Sequence, residues 1–304
     1  MGRRASPDGV LLLDKPAGIT STRALAKAKR LLGSLKGGHT GTLDPFATGL
    51  LPLVFGEATK FSRFLIDARK SYEAVLRLGE ETETGDTESA VSRRCESRPE
   101  PARIDAVLED FRGGQGQVPP MHSAVRIEGR RLYEYARAGR EIQRPARRVV
   151  IDELVQTGRN GDDLAIRVTC SKGTYIRTLA QDIGRALGCG AHLVGLRRTA
   201  VGPFSLAEAA TFEDLERQPD GAAKRLLPTE VLVAGLARFD ATPQETDDFV
   251  HGRPIRSAGE AEGGELAVFD PGGRFLGVGM RATPGSIAPR RLMAETGAES
   301  PDFS

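Results

Sequence analysis

The chain has 304 residues, of which 39% are hydrophobic and 28% charged, as in a soluble globular protein with one large core, or with one large and one small domain. No apolar run reaches membrane-spanning length, the basic start lacks a signal-peptide core, and the three scattered cysteines and four histidines exclude a disulfide framework and disfavour a zinc site. The net charge of +2 conceals two basic regions: residues 1–70 have 12 Lys/Arg against 5 Asp/Glu, and residues 120–200 have 15 against 8. Charge alone leaves open whether these regions form one polyanion-binding face or two separate solvated surfaces.

The first predicted elements are a strand and a helix. Residues 10–13, VLLL, predict a short buried strand. A turn that contains proline and glycine is predicted directly after it. Thr20 or Ser21 can cap a helix that runs to about Leu32, and Gly33 ends it.

The next stretch, residues 37–52, reads GGHTGTLDPFATGLLP and has no helical or strand period in its first half. Its glycines permit positive φ or a close approach to a ligand, and Pro45 fixes the backbone just after the stretch's single carboxylate, Asp44. No lysine follows the glycines as a phosphate-binding P-loop requires. We interpret the stretch as a rigid loop that presents Asp44; the alternative is a tight turn with an exposed aspartate.

A helix and a strand are predicted after this loop. Residues 58–68 have the spacing of a helix, and residues 71–78 alternate as a strand with Tyr72 on the apolar face. A tyrosine at such a position is usually a core aromatic.

The second half of the larger region predicts a strand–helix unit over residues 164–187, with a helix from residue 174 and Gly188 as its end. Arg177 lies in the first turn of that helix, where the macrodipole disfavours a positive charge. The sequence therefore predicts an anionic partner for Arg177, which any nearby Asp or Glu could supply.

From about Leu227 the composition becomes acidic, with glycine, proline and short apolar strands at residues 266–269 and 275–279. This change predicts a small β-rich second domain that begins near Pro228.

The motifs, taken together, resemble those of the TruB family, the tRNA pseudouridine-55 synthases, over roughly residues 9–295. The matching stretches are residues 15–21 (KPAGITS), 38–52 in the glycine-rich loop, 70–72 (KSY), 79–86 (GEETETGD), 117–124 (QVPPMHSA), 129–139 (GRRLYEYARAG), 172–177 (KGTYIR) and 192–204 (HLVGLRRTAVGPF). Glu83 and Ser89 stand where the family more often has Asp and Gly. His122 stands where it often has tyrosine, and we interpret His122 as a structural hydrogen-bonding residue.

The resemblance implies an α+β fold, with a pseudouridine-synthase-like mixed, largely antiparallel sheet, flanking helices and a small C-terminal PUA-like β domain. It divides the chain into a catalytic domain over residues 9–227 and a PUA-like RNA-binding domain over residues 228–295.

The resemblance also assigns roles to single residues. It makes Asp44 the catalytic carboxylate, acting either as a nucleophile or on a glycal route, and Arg177 its partner. Tyr72 would stack on the target base, and Tyr175 and Leu196 would line the pocket. The target must leave its stack to enter a closed pocket, and His39 would fill the vacated space.

The implied function is isomerisation of the T-loop uridine at position 55 of tRNA, without cofactor or metal. The expected partner is the T-loop and stem of tRNA, with no membrane, no obligatory protein partner and a cytoplasmic location. Two alternatives are a pseudouridine synthase for another RNA, unaided or in a guide-RNA particle, and a non-catalytic RNA-binding or folding module.

Overall fold

The computed structural model of the chain describes residues 7–123, 125–127, 129–217, 221–256, 263–283 and 285–294. Its strands are β1 (Gly9–Lys15), β2 (Gly37–His39), β3 (Thr48–Phe55), β4 (Lys70–Leu78), β5 (Glu80–Thr82), β6 (Val91–Arg94), β7 (Gly113–Gln117), β8 (Arg126–Ile127), β9 (Arg130–Arg131), β10 (Arg147–Asn160), β11 (Asp163–Cys170), β12 (Ala191–Val201), β13 (Phe204–Ser205), β14 (Ala237–Asp240), β15 (Ile255–Arg256), β16 (Glu265–Phe269), β17 (Phe275–Thr283) and β18 (Ser286–Leu292). Its α-helices are α1 (Ser21–Leu32), α2 (Arg63–Ile66), α3 (Pro101–Asp110), α4 (Leu132–Arg137), α5 (Ile176–Leu187), α6 (Phe212–Arg217) and α7 (Pro243–Val250).

A mixed sheet of nine strands, counted over the described residues, forms the larger part of the molecule. Seven strands lie side by side in the order β1-β3-β12-β4-β11-β10-β7, while β2 pairs with β3 and β13 with β12. The neighbouring strands are antiparallel except β3 and β12, which run parallel. Helices α3 and α5 pack on strands of this sheet. The predicted α+β fold with a largely antiparallel sheet is confirmed.

Strand β4 lies in the middle of this order, and its residue pattern explains why. Tyr72, Ala74, Leu76 and Leu78 alternate along it and are all buried. A strand of this kind can pair on both edges and pack one face against a core. The strand predicted over residues 71–78, with Tyr72 facing inward, is thus confirmed.

Helix α1 begins and ends where the sequence predicts. The Thr20 side chain accepts a hydrogen bond from the Arg23 backbone N–H, and Gly33 closes the helix in the left-handed conformation, with φ 64°. A residue with a Cβ is disfavoured at that φ, so glycine is the natural stop.

The prediction of a single helix over residues 58–68 is wrong, because the chain forms a 3-10 helix (Gly56–Phe61) followed by the short α2. The hydroxyls of Thr59 and Ser62 donate to the carbonyls of Gly56 and Thr59, at 2.7 and 3.0 Å. Such side-chain bonds compete with the helical backbone ladder.

The C-terminal strands form a second, five-stranded sheet in the order β14-β16-β17-β18-β15. Its hydrophobic residues share a core cluster with the larger part, and the Phe275 ring lies 5.2 Å from that of Phe61 in an edge-on contact. The backbone N–H of Ala294 also donates to the Glu57 carboxylate at 2.7 Å. A small β unit therefore follows the large sheet, as the sequence predicts, and packs directly on it.

None of the helices in the described part of the chain has the length and apolarity needed to cross a membrane.

Candidate active site

The loop that carries Asp44, residues 40–47, joins β2 to β3, and Ser21 on helix α1 holds it by hydrogen bonds. The Ser21 hydroxyl accepts a hydrogen bond from the Leu43 N–H at 2.8 Å and donates to the Leu43 carbonyl at 3.0 Å. The Gly18 N–H donates to the Pro45 carbonyl at 2.8 Å. Residues of the motif at 15–21 thus fix the backbone on both sides of Asp44.

Gly49, just after this loop, meets a steric requirement. Its φ is 102°, and a Cβ built on it would lie 2.3 Å from the Arg198 carbonyl oxygen and 2.7 Å from the Arg198 nitrogen. Only glycine permits both this φ and this approach to β12. The loop therefore returns into the sheet at a position fixed by backbone contact.

Arg177 and Asp44 form a two-pronged ion pair. The Arg177 Nε lies 2.9 Å from Asp44 Oδ2, and Nη2 lies 3.4 Å from Asp44 Oδ1. The Arg177 side chain is 6% exposed, whereas that of Asp44 is 31% exposed. Arg177 also donates to the carbonyls of Thr84 at 3.0 Å and His122 at 2.8 Å. The anionic partner that the sequence predicts for Arg177 is Asp44, and the arginine is held on several sides.

Asp86 is a second carboxylate at this arginine, and sequence reasoning gave it no role. It is fully buried, and its Oδ2 lies 3.6 Å from Arg177 Nε. Its Oδ1 accepts hydrogen bonds from the Thr84 hydroxyl and the Glu88 N–H. The sequence feature that could have identified Asp86 is its place in the motif at residues 79–86, but that motif does not show that the side chain is buried.

Several charges set the ionisation of Asp44. Burial and the neighbouring Asp86 carboxylate raise the pKa of Asp44 above its ordinary value, and Arg177 and Lys15 limit the rise. Lys15 is itself enclosed, with Nζ donating to the carbonyls of Pro16 and Ile19 at 2.8 and 2.9 Å. Burial lowers the pKa of Lys15 to about 8. The site therefore combines two enclosed cations with two carboxylates.

Tyr72 lies beside Arg198, its cross-strand partner on β12. Arg198 is 1% exposed, and its Nε and Nη2 donate to the carbonyls of Leu50 at 2.7 Å and Gly41 at 3.1 Å. It forms no ion pair with a carboxylate in the described residues. Burial raises the pKa of the Tyr72 phenol, against the effect of Arg198. Arg198 thus braces the backbone before and after Asp44, at Gly41 in the loop and at Leu50 on β3, a role that sequence reasoning missed.

The remaining predicted residues, Leu196, Tyr175 and His39, lie on three other elements of the large sheet and its helices. Leu196 pairs with Ala74 on the face of the sheet that also carries Tyr72. Tyr175 is the N-cap residue of α5, two positions before Arg177. His39 ends β2 and is half-buried, and its Nδ1 has no hydrogen-bond partner among the described residues. No hydrogen bond or ion pair joins these three residues to Asp44 in the part of the chain described.

Both basic regions contribute side chains to this centre. Helix α1, in the first region, holds the Asp44 loop through the Ser21 hydroxyl, and Arg177, in the second region, pairs with Asp44. The second region also includes the arginine-rich elements β8, β9 and α4, which follow His122 in the chain. In that segment, the guanidinium groups of Arg131 and Arg137 lie 5.8 and 5.4 Å from the centre of the Tyr133 ring.

Comparison with known proteins adds family matches along the chain. Residues 29–176 match "TruB family pseudouridylate synthase (N terminal domain)", residues 177–234 match "tRNA pseudouridylate synthase B C-terminal domain", and residues 242–293 match "Pseudouridine synthase II TruB, C-terminal". A protein of Azoarcus sp. (strain BH72), "tRNA pseudouridine synthase B", is 51% identical over 94% of this chain and 95% of its own. A protein of the same name from Burkholderia mallei (strain NCTC 10247) is 49% identical over 98% and 100%.

Solved structures share the fold. A chain from "Crystal Structure of a Cbf5-Nop10-Gar1 Complex" matches with TM-score 0.74 and 27% identity, covering 94% of this chain and 85% of that one. A chain from "Structure of H/ACA RNP bound to a substrate RNA containing 2'-deoxyuridine" matches with TM-score 0.72 and 25% identity, covering 93% and 84%.

Proposed function

The chain belongs to the TruB family of pseudouridylate synthases, and we propose that it isomerises the T-loop uridine at position 55 of tRNA, with Asp44 as the catalytic carboxylate. The reaction breaks the N1–C1′ bond, turns the base and joins C5 to C1′. The proton on C5 is released and N1 gains one, so neither an oxidant nor a second substrate is consumed. What the protein must supply is a positioned, ionised carboxylate in an enclosed pocket.

The two-pronged contact between Arg177 and Asp44 is the observation that carries this proposal. A carboxylate that is mostly enclosed tends to take up a proton, because burial disfavours its charged form. The adjacent guanidinium opposes that tendency and fixes the carboxylate plane with two nitrogen atoms. Asp44 remains the more exposed partner, so its oxygens stay accessible to a ligand.

An ionised Asp44 serves either of two chemical routes. It can attack the substrate to form a covalent intermediate, or it can remove a proton on the route through a glycal. Both routes require the same carboxylate in the same charge state, and both leave Arg177 as its partner.

The remaining roles concern how a uridine reaches Asp44. A uridine within a folded loop must leave its stack to enter the pocket, so the proposed mechanism includes base flipping. We assign Tyr72 to stacking on the flipped base, Tyr175 and Leu196 to lining the pocket, and His39 to filling the space that the base leaves. The position of Leu196 and Tyr72 on one face of the sheet supports their assignment to one pocket.

The proposed domains follow the same division as the two sheets. A catalytic domain over residues 9–227 would contain the nine-stranded sheet, and a PUA-like RNA-binding domain over residues 228–295 would contain the five-stranded one. We propose that the enzyme works on tRNA in the cytoplasm without an obligatory protein partner.

The test is pseudouridine mapping on a tRNA transcript treated with the purified protein. The wild-type chain should modify position 55, and Asp44→Asn, which keeps the volume but removes the charge, should lower the rate by at least about 10³-fold while tRNA still binds. Asp67→Asn is the matched control, because Asp67 is an exposed carboxylate paired with Lys172 at 2.8 Å.

The other outcomes separate the alternatives. Modification at a different position, or only of a different RNA, would favour a pseudouridine synthase directed to another RNA site. RNA binding without any modification by the wild-type chain would favour a non-catalytic module. Substantial turnover by pure Asp44→Asn would remove the catalytic assignment.

A further inference from the structure

The side chain of Gln117 makes an unusual contact with the start of helix α5. Gln117 is the last residue of β7 and is 4% exposed. Its Oε1 accepts a hydrogen bond from the Tyr175 N–H at 2.7 Å, and its Nε2 donates to the Tyr175 carbonyl at 3.1 Å. One amide side chain therefore satisfies both backbone groups of one residue, as a neighbouring strand would.

Tyr175 is the N-cap residue, at the junction between a turn and helix α5, so this contact is well placed to orient the first turn of the helix. It has an extended backbone, with φ −100° and ψ 110°, and its side chain forms no capping hydrogen bond. Its carbonyl accepts the first hydrogen bond of the helix, from the Leu179 N–H at 3.0 Å. The Gln117 side chain, which belongs to β7, therefore holds the backbone of the N-cap residue, where α5 has no capping side chain of its own.

Arg177 lies two residues beyond this N-cap residue and is held by the same segment. Its Nη2 donates at 2.8 Å to the carbonyl of His122, five positions after Gln117. Residues 117–122 therefore hold the backbone at the start of α5 and also the guanidinium that α5 presents. The Nη2 contact to Asp44 is 3.4 Å, near the limit of a hydrogen bond, so a small shift of the first turn would break it.

We propose that Gln117 is a positioning residue for pseudouridine formation, which fixes Tyr175 and the first turn of α5 so that Arg177 meets Asp44 with two nitrogen atoms. This inference rests on the proposed function of Asp44. Gln117 itself contacts neither substrate nor Asp44; it acts through the backbone of Tyr175.

The experiment compares Gln117→Leu and Gln117→Glu with Gln115→Leu as the matched control. Gln115 lies on the same strand, and its Nε2 donates to the Phe111 carbonyl at 2.9 Å, away from α5. Leucine removes both contacts of Gln117 at similar volume. Glutamate keeps the acceptor for the Tyr175 N–H but, in its ionised form, places a second acceptor oxygen against the Tyr175 carbonyl. It is assayed on the alkaline side of the pH profile, where the carboxyl is ionised, and it serves if the leucine variant fails to fold.

In single-turnover assays at saturating tRNA, both Gln117 variants should slow pseudouridine formation by about 10- to 100-fold, the size expected from a displacement of up to 1 Å. The dissociation constant for tRNA should change less than about 3-fold, a minor shift on the affinity scale. Gln115→Leu should keep the wild-type rate within about 2-fold, as expected away from the reacting groups.

The pH–rate profile separates positioning from a loss of folding. The charged groups that face Asp44 are Arg177, Lys15 and Asp86. Loosening Arg177 weakens an influence that lowers the pKa of Asp44, so the acid limb of the profile should move to higher pH in the Gln117 variants. A partly unfolded population would lower the whole profile without moving that limb.

The proposal is overturned if the Gln117 variants react at the wild-type rate, or if their slower rate follows thermal unfolding with an unmoved acid limb. Asp44→Asn, measured beside them, distinguishes this failure from failure of the proposed function. If that variant is inactive while Gln117→Leu is normal, only the role of Gln117 is lost. If that variant is active, the carboxylate assignment is lost, and the inference about Gln117 falls with it.

Discussion

Two neighbouring side chains, Arg177 and Asp44, differ sharply in exposure and in the hydrogen bonds that hold them. Arg177 is enclosed and donates to two backbone carbonyls as well as to Asp44, whereas about a third of the Asp44 side chain is exposed. The guanidinium therefore has a fixed place, and Asp44 is oriented by it. An arginine held in this way presents a rigid fork, which a lysine cannot reproduce because its ammonium is a single point charge.

At the residue scale, Arg177→Lys is therefore expected to reduce single-turnover pseudouridine formation far more than it reduces folding stability or tRNA binding. The loss should be about 10²- to 10³-fold, as for removal of a preorganised charged donor. The measurement is single-turnover kinetics beside a thermal melt.

A double variant with Asp44→Asn should be non-additive, because each change disables the same pair. Near-normal kinetics of Arg177→Lys, or a rate loss fully accounted for by unfolding, would give Arg177 a structural role only.

Sequence reasoning reached some of these residues and missed others for identifiable reasons. The position of Arg177 in a first helical turn indicated an anionic partner, because the helix dipole disfavours a cation there. Asp86 and Arg198 carry charges that normally lie at the surface, and no local pattern reveals that both are buried. Their burial results from contacts between segments that are far apart in the chain.

At the scale of elements, helix α1 and the Asp44 loop behave as one unit through Ser21. The Ser21 hydroxyl bonds both backbone groups of Leu43, whereas the hydroxyl of its neighbour Thr20 accepts a hydrogen bond from the Arg23 N–H and caps the helix. Variants of these two adjacent residues can therefore distinguish an effect on helix stability from an effect on the position of the loop.

Ser21→Ala is expected to lower the free energy of unfolding by about 1–3 kcal/mol, because it leaves buried groups of Leu43 unpaired. It should also slow single turnover. Thr20→Ala should cost a comparable amount, about 1 kcal/mol for a lost N-cap, without slowing the chemical step. Thermal melts and single-turnover rates of both variants make the comparison. Equal rate effects would show that α1 acts on the site only through general stability.

The predictability of elements depended on how regular each one is. Strand β4 keeps a strict alternation and was predicted with its buried face. The longer β10 and β12 were not predicted, and register shifts interrupt both of them, between Ile151 and Glu153 for example. A bulge changes which face each later residue occupies, so the two-residue period disappears from the sequence.

At the scale of the whole molecule, both basic regions contribute residues to the candidate site, Ser21 from the first and Arg177 from the second, which favours one RNA-binding face. Lys27 already has two partners within the protein, because its Nζ pairs with Glu216 at 2.8 Å and lies 4.3 Å from the centre of the Phe212 ring. Arg30 on α1 and Arg130 on β9 are exposed instead.

The affinity for tRNA should fall steeply with salt. Arg30→Gln and Arg130→Gln should each reduce the slope of log affinity against log salt by about 0.7–0.9, the contribution of one phosphate contact. Lys27→Gln is the control and should leave the slope unchanged. Filter-binding titrations over a range of salt concentrations measure all three variants. An unchanged slope for one arginine would place its region away from the RNA.

The glycine-rich strand β7 has a consequence for solubility. It lies at one end of the strand order of the large sheet, where unpaired backbone groups could recruit a strand from another molecule and start aggregation. Three of its five residues are glycines, which form strands poorly, and the exposed Arg147 and Arg148 on the adjacent strand add like charge between copies. The edge strand that contains Gln117 is thereby a poor template for self-association, although it ends a long open sheet.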